Sequence, residues 1–67
     1  MVNMKEIGIN LKNFRLERGF SVYDVEKMTG IMHQNIYRWE QGITEPSIIS
    51  CIKLCKLYGC KLDDLIF

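Results

Sequence analysis

Apolar residues recur along this chain every three or four positions, the spacing of one helix face. Alternating apolar and polar runs of strand type are missing, so the fold is expected to be all-α. Gly19, Gly30, Gly42, Pro46 and Gly59 punctuate the pattern and divide it into five helical segments with little left over. The first runs from about Met4 to Arg18, with Ile7, Leu11 and Phe14 as its inward stripe and Gly19 as the residue that ends it. Gly8 lies inside this helix at a cost of about 1 kcal/mol against Ala. It allows either a close packing neighbour or a tolerated glycine near a frayed end.

Ser21 opens the second helix, and Ser21-Val22-Tyr23-Asp24 has the pattern of a capping box. Phe20 can staple onto Val25, and Val25 and Met28 supply the buried side. Thr29-Gly30-Ile31 is a tight turn, with Gly30 suited to the positive φ that such a reversal needs. The third helix starts at Met32 or His33 and closes at Gly42. Met32 is a poor cap, so this helix start is expected to keep free N–H groups, able to meet a phosphate. Ile36 and Trp39 point inward. His33, Gln34, Tyr37, Arg38 and Gln41 point outward, and none of them is a carboxylate. Pro46 keeps Glu45 out of a helix and Ser47 caps the next one. That fourth helix, Ser47 to Tyr58, carries Ile48, Cys51, Ile52, Cys55 and Tyr58 on one side, with Ile49 and Leu57 elsewhere. Residues 62–67 form a last short helix, with Asp63 and Asp64 in its first turn and Leu62 and Leu65 toward the core.

Sixty-seven residues are enough for one domain, spanning 1–67. A chain of this size buries only about 60% of its unfolded surface. No apolar run nears the roughly 18 residues of a membrane span. The start, MVNMKEIGIN, lacks a signal-like apolar stretch, so a cytoplasmic protein without membrane association is expected. Three cysteines cannot close a disulfide framework, and small buried hydrophobes in a reducing compartment are the expectation. Cys51, Cys55 and Cys60 with His33 do not match the spacing of structural zinc ligands, so no metal or cofactor is expected. Nor is an enzyme: paired carboxylates are missing, and the one histidine has no nucleophile near it in sequence.

The net charge of +1 is a weak basic footprint. Lys12, Arg15, Arg18, Lys27 and Arg38 are interleaved with Glu6, Glu17, Asp24, Glu26 and Glu40. The outward face of the third helix nevertheless suits reading base edges in a DNA groove, since amides and guanidinium match their donor and acceptor patterns. For His33 two roles stay open, a solvated residue at a helix start or a base contact.

Gly19-Phe20-Ser21, Thr29-Gly30-Ile31, Ile36 to Gly42, Glu45-Pro46-Ser47 and Leu54 through Gly59 to Leu65 occur in an order and spacing that resembles the Cro/repressor-type helix-turn-helix family, also called the Xre family. The resemblance covers Ile7 to Ile66. It implies a five-helix, lambda-repressor-like DNA-binding domain whose second and third helices form the helix-turn-helix. By this resemblance Met32, His33, Gln34 and Arg38 face bases, with Gln34 suited to adenine and Arg38 to guanine. Asn35, Tyr37, Gln41 and Thr44 fall where backbone contacts are usual, and Arg15 and Glu40 match a partly buried ion pair. The chain departs from the family pattern at Val22, Glu26, Thr29 and Met32. Glu26 is expected in solvent or paired, near Lys27 or with Arg38. The implied function is a sequence-specific transcriptional regulator with double-stranded DNA as partner, dimeric through Ile49, Leu57, Ile66 and Phe67. The alternative is a protein-interaction module of the same fold, antitoxin-like, with weak DNA binding.

Overall fold

Short polar side chains begin most of the helices, and a left-handed glycine stands at or just past the end of four of them. The computed structural model describes residues 3–66. It contains α1 (Met4–Glu17), α2 (Val22–Thr29), α3 (His33–Glu40), α4 (Ile48–Tyr58) and α5 (Leu62–Ile66), with no strand among the described residues. Asn3 accepts from the Glu6 N–H at 2.9 Å and starts α1. Ser21 and Asp24 form the complete capping box of α2, at 3.0 and 2.8 Å. Ser47 accepts from the Ser50 N–H at 3.1 Å and starts α4. Phe67, one of the residues named for a dimer surface, lies outside the described residues.

The core draws on every helix, most heavily on α4: Leu11, Val25, Ile36, Trp39, Cys51, Leu54, Cys55, Tyr58 and Leu65, all buried. Ile7, Phe14, Phe20 and Leu62 close over it from the edges. Two sequence-based expectations fail here. Met28 is 49% exposed, because Val25 alone supplies the buried side of α2. On α4 the buried stripe is Cys51, Leu54, Cys55 and Tyr58, an i, i+3, i+4, i+7 set. Ile48 at 61% and Ile52 at 43% exposure stand outside it. Ile48 sits in the first turn of α4, and Ile52 is turned away from the stripe.

Two contacts pin α3 against α1. The first is a close backbone approach at Gly8. A Cβ there would collide with the carbonyl oxygen of Trp39 and lie 2.9 Å from that of Glu40. Gly8 is therefore required by packing, not tolerated at a frayed end. The second is the predicted ion pair. Arg15 donates from Nε to Glu40 Oε2 at 2.7 Å and from Nη2 to Glu40 Oε1 at 2.8 Å. Its Nη1 donates to the Phe20 carbonyl at 2.8 Å. Both residues are buried, and the bond to Glu40 raises the Arg15 pKa against the opposing effect of burial. A planar fork on a carboxylate, with a third donor satisfied by backbone, is the geometry in which a buried pair holds.

Gly8→Ala is expected to destabilise the domain by about 2 kcal/mol, because backbone must move, despite the helix-propensity gain of about 1 kcal/mol. An unchanged or raised denaturant midpoint would contradict the close approach. Glu40→Ala strands the Arg15 guanidinium and should cost about 3 kcal/mol, a drop in melting temperature on the order of 10 °C or more.

Candidate nucleic-acid interface

Gly30 ends α2 with φ +78, and its N–H reaches the Glu26 carbonyl at 2.8 Å. Thr29 helps close the same turn: its hydroxyl donates to the Val25 carbonyl at 2.7 Å and accepts from the Ile31 N–H at 3.1 Å. The chain then enters α3 through Met32, which offers no side-chain cap.

The missing cap is supplied from α2. Glu26 Oε1 accepts from the His33 N–H at 2.8 Å, and the same oxygen lies 3.1 Å from His33 Nδ1. Asn35 and Ile36 bond back to the Met32 carbonyl, which leaves the Gln34 N–H as the first-turn donor of α3 without an acceptor among the described residues. The helix start is thus not the open phosphate site expected from the sequence, because a carboxylate already holds its first N–H. Glu26 is paired with His33 and not with Arg38 or the neighbourhood of Lys27. The His33 N–H first, and then its imidazole, hold the Glu26 carboxyl below its ordinary 4.5. Tyr23 packs against the imidazole, ring centres 4.6 Å apart.

Behind α3, Ile36 and Trp39 are buried as expected. In front, Met32, Gln34, Asn35, Tyr37, Arg38, Gln41 and Thr44 are exposed, and His33 is half-buried. His33, Gln34, Tyr37 and Arg38 line one open groove of about 380 Å³ with Val22, Tyr23 and Ile43. Met32, Asn35, Gln41 and Thr44 are not part of its wall. Sequence reading missed Tyr23, Ile43 and the capping role of Glu26. For Glu26 a signal existed: a carboxylate one turn before a glycine hinge, followed by a helix that begins without a cap. Tyr23 and Ile43 carry no such mark.

Of the arginines, Arg38 alone makes no ion pair among the described residues. Arg15 is held by Glu40, and Arg18 lies 3.1 Å from Glu17. Cys51 and Cys55 are buried, Cys60 is half-buried, and all three are free thiols. Among the described residues no three His, Cys, Asp or Glu side chains gather as metal ligands, and no helix is long and apolar enough to cross a membrane.

The family model described as helix-turn-helix matches residues 11–65, and the chain belongs to this Xre-type helix-turn-helix family. It is 31% identical over 55 residues to an uncharacterised HTH-type transcriptional regulator of Methanocaldococcus jannaschii, covering 82% of this chain and 83% of that one. It is 39% identical over 56 residues to a provisionally named HTH-type transcriptional regulatory protein of Saccharolobus islandicus. That match covers 84% of this chain but only 17% of the relative's length. Among solved structures it is similar to the restriction-modification controller protein C.AhdI from Aeromonas hydrophila, with TM-score 0.87, 19% identity and coverage of 94% and 96% of the two chains. The DNA-binding domain of BldD from S. venezulae gives TM-score 0.84, 21% identity and 96% coverage of each chain. At these identities the likeness is one of fold.

Glu26 and Asp24 both carry depressed carboxyl pKa values, so what each contributes is present above its unfolded value and lost as pH falls through its folded one. Melting temperature should therefore decline as pH drops below about 4.5. The double variant Asp24→Asn/Glu26→Gln should show a shallower decline over that range, and equal slopes would contradict both hydrogen bonds.

Proposed function

We propose that this chain is the DNA-binding module of a transcriptional regulator and lays α3 in the major groove of double-stranded DNA. One observation carries the reading. Gln34, Tyr37 and the unpaired Arg38 share an open groove with His33 on a helix whose opposite face is locked to α1. Rigid support behind and unpaired hydrogen-bonding groups in front are what direct readout requires. The naming of the archaeal relatives as HTH-type transcriptional regulators supports it. Met32, His33, Gln34 and Arg38 take the base-facing positions, and Asn35, Tyr37, Gln41 and Thr44 those beside the sugar–phosphate chain. A single module reads few base pairs, so a two-fold dimer over adjacent half-sites accompanies the reading. Ile49 is 65% exposed on α4, and Leu57 and Ile66 are half-buried at the edge of the core. Together they offer the dimer a surface. Free thiols fit a reducing, cytoplasmic setting. The role is binding, with no chemistry of its own.

A second reading, a protein-interaction module, draws on the exposed Ile48, Ile49 and Ile52 of α4 and on the net charge of +1. Salt separates the two. Affinity for duplex DNA should fall steeply and log-linearly with salt, whereas apolar docking to a protein is nearly salt-independent. Arg38→Ala should weaken binding to a selected duplex about 10- to 100-fold and relax base preference at one position. Uniform weakening across all sequences would assign Arg38 to phosphate instead.

A further inference from the structure

The imidazole of His33 is held in a way that decides which of its nitrogens carries a proton. Glu26 Oε1 already accepts the His33 backbone N–H at 2.8 Å, and an ionised carboxylate has only lone pairs to offer. The same oxygen lies 3.1 Å from Nδ1. Two bare acceptors would repel at that separation, so Nδ1 must be the protonated nitrogen. A neutral imidazole has one N–H, and Nε2 is then left as an acceptor. Nε2 makes no hydrogen bond among the described residues. His33 lines the groove beside Gln34, Tyr37 and Arg38, and its ring packs with that of Tyr23. The usual neutral form of a histidine side chain in water carries its proton on Nε2, so this arrangement inverts the donor and acceptor pattern that His33 would otherwise present.

We propose that Glu26 sets the tautomer of His33, so that neutral His33 offers a bare Nε2 acceptor to the major groove and selects adenine or cytosine at the step it faces. Those bases present an amino group there, adenine through N6 and cytosine through N4. Guanine presents only N7 and O6, and thymine presents O4, all acceptors that the bare nitrogen opposes. His33 is the specificity residue and Glu26 a positioning residue that acts through it. The inference rests on the DNA-binding reading above.

His33 is the only histidine of the chain, so its ring nitrogens can be followed without assignment in the uniformly 15N-labelled protein. Long-range proton–nitrogen correlation, recorded well above the ordinary histidine pKa of about 6.5, should show a protonated Nδ1 and a bare Nε2. In Glu26→Ala the signals should move toward the Nε2–H form. A wild-type imidazole protonated on Nε2 overturns the proposal, and this measurement needs no variant to fold. In parallel, duplexes selected from random sequence at the same pH should show an adenine or cytosine preference of about fivefold over guanine or thymine at one position, the worth of one hydrogen bond. Glu26→Ala should lose that preference and keep the preferences set elsewhere by Arg38 and Gln34. Failure of wild type to bind any duplex overturns the DNA-binding reading and this inference with it. Binding with an identical preference in wild type and Glu26→Ala overturns this inference alone.

Discussion

Everything on the outer face of α3 depends on how its inner face is held to α1. A short helix of 8 residues is marginal on its own, and nothing in the composition of HQNIYRWE would keep it straight and in register. Two unlike contacts do so. Gly8 lets the backbones of α1 and α3 approach until a methyl group would not fit. The Arg15–Glu40 fork then fixes the rotation and slide of one helix against the other, because two parallel hydrogen bonds tolerate little shear. Apolar burial of Ile36 and Trp39 supplies attraction without direction. The fork and the close approach add the direction, and the exposed side chains inherit it.

Much of this was legible in the chain, for reasons that differ between its parts. Ser21 with Asp24, Gly30, and Pro46 followed by Ser47 signal through local backbone chemistry, and such signals survive any tertiary context. Ile36 and Trp39 were read correctly because a helix with one polar face leaves little choice about the other. Met28, Ile48 and Ile52 were misread because periodicity reports which residues share a face, but not how much of that face the small core can cover. A domain of this size runs out of core before α4 runs out of isoleucine. Leu54 lies off the stripe read for α4 yet is buried, because the helices packed against α4 decide which of its sides is covered. The groove wall from Tyr23 and Ile43 depends on a tertiary junction that no spacing rule encodes.

Three of the four positions where the chain leaves the pattern of its family, Glu26, Thr29 and Met32, lie together at one turn. Thr29 bonds both the last turn of α2 and the N–H of Ile31, so the hinge is tightened by a hydroxyl. Met32 cannot cap α3, and Glu26 does so from the preceding helix. The same carboxylate then takes the imidazole that follows Met32. Taken singly, a polar residue at 29, an acid at 26 and a thioether at 32 each look like weakened helix-turn-helix positions. Taken together they sit at one turn, where the Thr29 hydroxyl closes the end of α2 and Glu26 supplies the cap that Met32 lacks.

That turn also changes where a phosphate can be held. An uncapped helix start concentrates unpaired N–H groups and the positive end of the helix dipole, and would attract an anion. Here the first N–H is spent on Glu26, whose charge opposes that end of the dipole. Arg15 and Arg18 are likewise engaged, with Glu40 and Glu17. Of the three arginines Arg38 alone stays unneutralised among the described residues, inside the groove with Gln34 and the imidazole. The six lysines make no ion pair among the described residues either, so free positive charge extends beyond the groove. Inside the groove the guanidinium stands beside an amide and an imidazole, a set of donors and acceptors that only matching groups would satisfy.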